Sequence, residues 1–272
     1  MKIIVTVRFT IFDKHFINHF FNYYLNIGVN LFLINFNYKI NCTDEELNNL
    51  IQYITNIYGT YIKYNIGPNG ITSSEEDNIN MLKQLVNEYI NLDEDFILPT
   101  DSDEFHEFID FNNIYAIINY MIDNNIDYIR GYTCERITDD GSIKEIINNI
   151  NIFDQFPKWN NNLFALPKIS LIKAKYYNLL GVGHHYIAEN FIIKYNLKDK
   201  IISKTNHFRW NLHSKIRIEN WIIIFNNDLY TGWKDKNKYI QMLSIFNNSL
   251  LDDKLVNVNL VDDKLVNIDK IF

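Results

Sequence analysis

Apolar and polar positions alternate along the first half of the chain in a strand-then-helix rhythm. Lys2 to Val7 is a β-branched run that reads as a buried strand. From Lys14 to Asn26 the apolar positions take helical spacing, with Phe16, Phe20, Tyr23, Tyr24 and Ile27 largely on one side and Gly28 as a natural stop. Val29 to Asn35 is a second apolar strand. Thr43-Asp44-Glu45-Glu46 has the form of a capping box with an acidic first turn, opening a helix to about Ile57. Thr60 to Ile66 is a third strand, followed by a Gly67-Pro68-Asn69-Gly70 loop. Ser74-Glu75-Glu76-Asp77 opens another helix, carrying Ile79, Leu82, Leu85, Val86 and Tyr89. Phe96 to Thr100 is a short strand that ends directly in Asp101-Ser102-Asp103-Glu104. A helix over Phe111 to Ile122 and a strand over Tyr128 to Thr133 follow.

This alternation predicts an α/β fold with a mostly parallel central sheet, right-handed crossovers and flanking helices. In such sheets ligands bind beyond the carboxyl ends of the strands, which is where the carboxylate cluster falls. The second half is less regular. Lys168 to Lys173 is strand-like, Gly181-Val182-Gly183-His184-His185 follows, Ile201 to Arg209 is another strand, and Lys236 to Phe246 is a late helix. Trp221 to Phe225 is a buried strand or helix segment. Asp252 to Asn257 recurs almost unchanged as Asp262 to Asn267, and two copies are too few for a solenoid. The organisation expected is one domain over residues 1–246 and a C-terminal tail or hairpin over 247–272.

With 272 residues, 47% of them hydrophobic and 22% charged, the chain is long enough to bury one α/β core. A net charge of -7 without a Lys/Arg cluster argues against a general nucleic-acid binder. It leaves room for an anionic nucleotide, because a bound divalent cation can reverse the local sign. The 2 cysteines, Cys42 and Cys134, read as buried thiols and suit a reducing compartment. The first apolar run is broken by Arg8, too early for a signal peptide, and no run approaches the roughly 20 apolar residues of a membrane span. The expectation is a soluble, cytoplasmic protein. The bias to Asn, Ile, Lys and Tyr points to an A/T-rich source genome and bears on origin only.

Two Asp separated by one residue at a strand end can share a hard cation, Mg²⁺ or Mn²⁺, with the phosphate oxygens of a substrate. The cation would neutralise a diphosphate and stabilise the charge that grows on it as it leaves. The competing reading is an acidic first turn of the helix before Phe111. The apolar strand Phe96-Ile97-Leu98 before the cluster, and Phe105 after it, favour a site.

Phe96 to Phe105 resembles the apolar-strand, D-x-D-E-F segment of family-2-like glycosyltransferases of the GT-A fold. The resemblance includes a first strand ending in Val7-Arg8, and Asn26-Ile27-Gly28-Val29 leading into the second strand. Further blocks follow in order: Arg130-Gly131-Tyr132, Glu135-Arg136-Ile137, Asp140-Gly141, Asp154-Gln155-Phe156-Pro157, Pro167-Lys168-Ile169, Gly183-His184 and His207-Phe208-Arg209-Trp210. It runs from about residue 3 to about residue 217. It implies a GT-A-type, Rossmann-like sheet and a metal-dependent transfer from a nucleoside-diphosphate sugar to a glycan or other acceptor hydroxyl, inverting at the anomeric carbon. It also implies Mn²⁺ or Mg²⁺ on Asp101, Asp103 and a late His207, and donor contacts from Thr6, Arg8, Asn35, Asp101, Ser102 and Asp103. Family members usually have an acidic residue soon after Val-Arg and an Asp at the end of the second strand. This chain has Phe9-Thr10 and Asn35, which leaves the base, UDP or GDP, open; a UDP-sugar is the favoured donor.

An inverting transfer needs a base to take the proton of the acceptor hydroxyl. Glu135, Asp154 and Glu189 are the candidates. Glu135 lies beside Arg136, where a surface ion pair is the plain account. Asp154 lies in the aromatic segment Phe153-Asp154-Gln155-Phe156, where partial burial could raise its pKa. Glu189 follows the metal motif at about the family's spacing. His184 and His185 are adjacent and would point to opposite faces of a strand, so one at most contacts a substrate. Trp159, Trp210, Trp221 and Trp233 are candidates for stacking on a sugar, Trp210 first because it adjoins His207. Arg8, Lys168 and Arg209 could hold phosphate. Two other readings stand: a nucleotidyltransferase, for which Val5 to Phe12 lacks the glycine-rich basic loop, and a non-catalytic sugar-nucleotide or carbohydrate-binding module.

Overall fold

The computed structural model describes residues 1–37, 42–67, 75–111, 113–160, 167–226 and 236–247. In chain order the elements are β1 (Ile3–Phe9), α1 (Ile17–Asn26), β2 (Leu31–Phe36), α2 (Asp44–Tyr58), β3 (Ile62–Ile66), α3 (Glu75–Tyr89), β4 (Phe96–Pro99), β5 (Glu104–Phe108), α4 (Ile114–Asp123) and β6 (Tyr128–Ile137). They continue with α5 (Ile152–Gln155), β7 (Lys158–Asn160), β8 (Pro167–Lys173), α6 (Glu189–Tyr195), β9 (Asp199–His207), α7 (Leu212–Asn226) and α8 (Lys236–Asn247). The strands form one sheet in the order β3-β2-β1-β4-β8-β6-β9-β5, with β7 on β6. Within the expected domain 1–246 the chain groups into two compact units, residues 1–132 with 167–205, and 133–166 with the segment from 206 onward. Beyond Asn247 the expected tail, with its repeated segment, lies outside the described residues, as do residues 68–70 of the expected loop, residues 71–74 that lead into the next helix, and Trp233.

In the first unit β3, β2, β1 and β4 are parallel neighbours, as the strand-helix alternation requires. In β1, β2 and β4 the side chains are mostly apolar on both faces, while β3 carries Lys63 and Asn65 between Ile62, Tyr64 and Ile66. Phe32 meets Phe20 and Phe21 of α1. The next residue, Leu33, joins Leu82, Leu85 and Val86 of α3 in a cluster with Ile4, Ile97 and Ile172. Consecutive strand residues point to opposite faces, so α1 and α3 cover opposite faces of the sheet. Thr43 and Glu46 form the expected capping box, with Glu46 N–H donating to Thr43 Oγ1 at 3.2 Å and Thr43 N–H to Glu46 Oε2 at 2.9 Å.

The sheet then changes sense. β8 runs antiparallel to β4, and β6 antiparallel to β8. The carboxylate segment is a turn between two strands, β4 and β5, and not the first turn of a helix. Tyr24 of α1 ties that turn down, donating to the Glu104 carbonyl at 3.0 Å.

In the second unit β7 lies antiparallel on the end of β6. Trp210, Ile137, Ile218, Met242 and Phe246 form its core. The Trp221–Phe225 segment is helical, as part of α7. Among the described residues no helix is long and apolar enough to cross a membrane.

Candidate functional site

Lys168 organises the carboxylate turn. In the β4–β8 ladder Ile97 lies opposite Ile172, and extending that antiparallel register brings residue 168 opposite residue 101, just past the end of β4. The Lys168 ammonium lies 2.8 Å from Glu104 Oε2 and 3.2 Å from Asp101 Oδ2. The lysine side chain is wholly buried, Glu104 nearly so, and Asp101 is partly open to solvent. Burial alone would lower the lysine pKa, but the two carboxylates outweigh it and raise it above the ordinary lysine value. Burial likewise works to raise the Asp101 carboxyl, and the Lys168 and Arg8 cations outweigh it, holding it well below the usual carboxylate range. A lysine directly before the apolar run of β8 was the available signal for this partner, since a buried ammonium requires a counter-charge.

The other residues of the turn are engaged within the protein. Ser102 donates to Asp13 Oδ1 at 2.8 Å, while Asp13 Oδ2 accepts from the Thr10 amide and hydroxyl, each at 2.7 Å. Ser102 therefore tethers the turn to the segment after β1. Asp103 is buried, with 3% of its surface exposed. His106 of β5 is also buried, between Pro99 O and Thr205 Oγ1, each 3.0 Å away. Burial drives its pKa down to about 3, so the ring is neutral.

A cleft opens beside Asp101. Arg8, Asn78, Thr100, Asp101, Gly183 and His184 line it, over Ile79 and Leu82. Arg8 and Asp101 were expected at a donor site; Thr6, Asn35, Ser102 and Asp103 are not among its lining residues. Thr6 is fully buried in β1. Asn35 stands behind the cleft: its Nδ2 donates to Asn78 Oδ1 at 3.1 Å, and Asn37 Nδ2 donates to the same oxygen at 2.6 Å. The two adjacent histidines diverge. His185 Nδ1 is 2.7 Å from Pro167 O, whereas His184 faces the cleft. Burial first, and then the Lys168 charge, push the His184 pKa down to about 3.

The second unit contains a buried carboxylate–imidazole pair. His207 Nδ1 lies 2.8 Å from Glu135 Oε1, and Arg209 stands 3.8 Å from the same oxygen. Glu135 is 1% exposed, which replaces the surface ion pair with Arg136. Arg136 instead donates from Nε to Asn206 Oδ1 at 2.8 Å and lies over the rings of Phe153 and Trp159. Strand alternation sends the two neighbours to opposite faces. Asp154, expected to be partly buried, is exposed on the short α5, and Glu189 is exposed at the start of α6. Trp210 is a core residue against Phe246, with ring centroids 4.9 Å apart, and has no face for a sugar.

The expected Mn²⁺ or Mg²⁺ set does not fit the donors as they stand. Among the described residues no group of three His, Cys, Asp or Glu side chains is disposed to hold a metal ion. Asp101 is paired with an ammonium, and the His207 nitrogen on Nδ1 is committed to Glu135. A second cation at Asp101 would have to compete with Lys168.

No protein-family model matches the chain, and no curated protein matches it. Among solved structures it is similar to an apo UDP-glucose pyrophosphorylase, at 9% identity over 84% of this chain and 100% of that chain, with a TM-score of 0.36. A UDP-glucose pyrophosphorylase complexed with UDP-glucose matches at 11% identity over 76% and 91% of the two chains, with a TM-score of 0.36. Mannose-6-phosphate isomerase from Helicobacter pylori matches at 12% identity over 76% and 98%, with a TM-score of 0.33. Likeness at this level does not extend to chemistry.

Proposed function

We propose that the chain is a glycosyltransferase that takes a sugar from a nucleoside-diphosphate sugar, UDP-sugars first, and passes it to an acceptor hydroxyl with inversion. The observation that carries this reading is the cleft at the carboxyl end of β4. There the D-x-D-E-F turn, the Arg8 that closes the first strand, and the Gly183-His184 block meet in one cavity wall. These three blocks also carry the family resemblance in sequence, and the fold supplies a physical reason for their being together. The strands converge on the edge where α/β sheets take ligands.

On this reading Arg8 binds phosphoryl oxygens through its planar fork of donors. Lys168 keeps Asp101 ionised and oriented toward the cleft. Within the second unit, the buried Glu135–His207 pair is the candidate proton acceptor, its carboxylate 2.8 Å from Nδ1 of the ring. Such a pair serves better than exposed Asp154 or Glu189, because burial fixes its geometry.

One observation favours a second reading, a sugar-nucleotide-binding module without turnover. Lys168 already occupies the carboxylates that would recruit a catalytic cation. Incubation with UDP-, GDP- and dTDP-sugars, with and without Mn²⁺, separates the two. Thermal stabilisation with nucleotide release supports the transferase, and stabilisation with no release, with or without acceptor glycans, supports the module. No stabilisation by any of the three would remove both.

A further inference from the structure

His184 is 8% exposed and lies in the wall of the cleft with Arg8 and Asp101, and its Nδ1 has no hydrogen-bond partner among the described residues. Buried polar atoms in folded proteins are almost always bonded, so an orphan facing a cavity calls for a ligand atom. The backbone gives an independent sign. His184 has φ +59° and follows Gly183 at φ +69°. A side chain with a Cβ is strained in that left-handed region, and such strain concentrates where a ligand is clamped. His185, the next residue, satisfies its own Nδ1 on Pro167 O. The chain therefore holds His184 in a left-handed conformation that places the residue in the cleft wall, with a buried Nδ1 that the described residues leave unsatisfied.

The surroundings define what that nitrogen meets. Arg8 is the cation among the lining residues, Asn78 and Thr100 are neutral polar groups, and Lys168 and Arg8 together face the two carboxylates Asp101 and Glu104. A neutral imidazole adds a directed N–H without adding charge. Beside a guanidinium, that combination suits a phosphoryl oxygen.

We propose that His184 is a ligand-contacting residue, donating from Nδ1 to a phosphoryl oxygen of the bound nucleotide alongside Arg8. This rests on the nucleotide-sugar reading above and adds to it a specificity-determining contact for the diphosphate.

The test uses the full chain, calorimetric titration with UDP, GDP and dTDP and with the corresponding nucleosides, and the variants His184→Gly and His184→Asn. Glycine accepts the left-handed backbone freely and asparagine tolerates it, so both preserve the turn. The expected result for His184→Gly is at least tenfold weaker binding of the diphosphate, unchanged binding of the nucleoside, and an unfolding temperature that stays level or rises. A purely structural histidine would lower the unfolding temperature and weaken nucleoside and diphosphate together, and that result overturns the proposal. Equal diphosphate affinity in His184→Gly and the natural protein overturns it while leaving the nucleotide reading intact. Failure of the natural protein to bind any of the three diphosphates removes the nucleotide reading itself, and this contact with it.

Discussion

Lys168 Nζ and Glu104 Oε2 are 2.8 Å apart, with the lysine side chain wholly buried and the glutamate 4% exposed. This ion pair joins β8 to the carboxylate turn, and Asp101 shares its cation at 3.2 Å. Removing one partner of a buried pair strands the other charge. Lys168→Met is expected to destabilise the fold by about 3–5 kcal/mol, measured by urea unfolding. The double variant Lys168→Met/Glu104→Leu should recover a large part of that loss, because it removes the stranded carboxylate as well. A double variant no more stable than the single would show that the pair is not what Lys168 contributes.

The same cluster sets a pH window. The pKa of Asp101 is depressed in the folded chain, so its contribution is present above the unfolded value of about 3.9 and is lost as pH falls below it. That of Lys168 is raised, so its contribution is full below about 10.4 and is lost as pH climbs beyond that value. Unfolding midpoints across pH should therefore lose this contribution at both extremes. The Lys168→Met variant should lack the alkaline fall.

His106 adds an acid-side slope of its own. Its folded pKa is about 3, against about 6.5 in an unfolded chain. Between those values the unfolded state binds a proton that the folded state refuses, so stability falls as pH drops from about 6.5 toward 3. His106→Gln should be less stable at pH 7, having lost a fitted ring, yet lose less than the natural protein between about pH 7 and 5. Parallel losses in the two proteins would assign the slope to other groups.

Ser102 is expected to act on the turn and not on the chemistry. Its bond to the buried Asp13 carboxylate is 2.8 Å long. Ser102→Ala should cost about 1.5–3 kcal/mol, the range for a hydrogen bond to a charged group. With the tether gone, the KM for a donor sugar should rise while kcat changes little. A fall in kcat alone would place the hydroxyl at the reacting atoms.

Glu135 and His207 give the sharpest kinetic test of the proposed transfer. Glu135→Gln keeps the side-chain shape and removes the charge that holds His207 Nδ1–H. With a UDP-sugar donor and an acceptor, kcat should fall by about 10²–10⁴-fold, the usual weight of a positioned base, with donor KM nearly unchanged. Loss of donor binding in this variant would instead make the pair part of the nucleotide site.

The residues of the site differ in how far apart their partners lie. Thr43 and Glu46 cap α2 across three positions, and the alternation of Phe32 and Leu33 between two helices is a property of neighbouring residues. Such local chemistry is readable from the chain order, because one turn of helix or one pleat of strand settles it. The apolar run Phe96–Leu98 ending in carboxylates at a strand end belongs to the same class. The strand β5 that follows does not, since a Glu-Phe-His-Glu-Phe segment takes its conformation from the sheet it joins.

By itself the sequence determined the alternating strands and helices, the parallel order they imply, and the position of the carboxylate turn at the end of β4. Only the tertiary structure decided what those carboxylates face. Lys168 reaches Asp101 across 67 residues, and His207 reaches Glu135 across 72. Neither distance leaves a periodic trace in the chain, because sheet register and not local propensity brings the partners together. The left-handed backbone of His184, and an Nδ1 without a partner among the described residues, are likewise features that no local pattern in the chain announces.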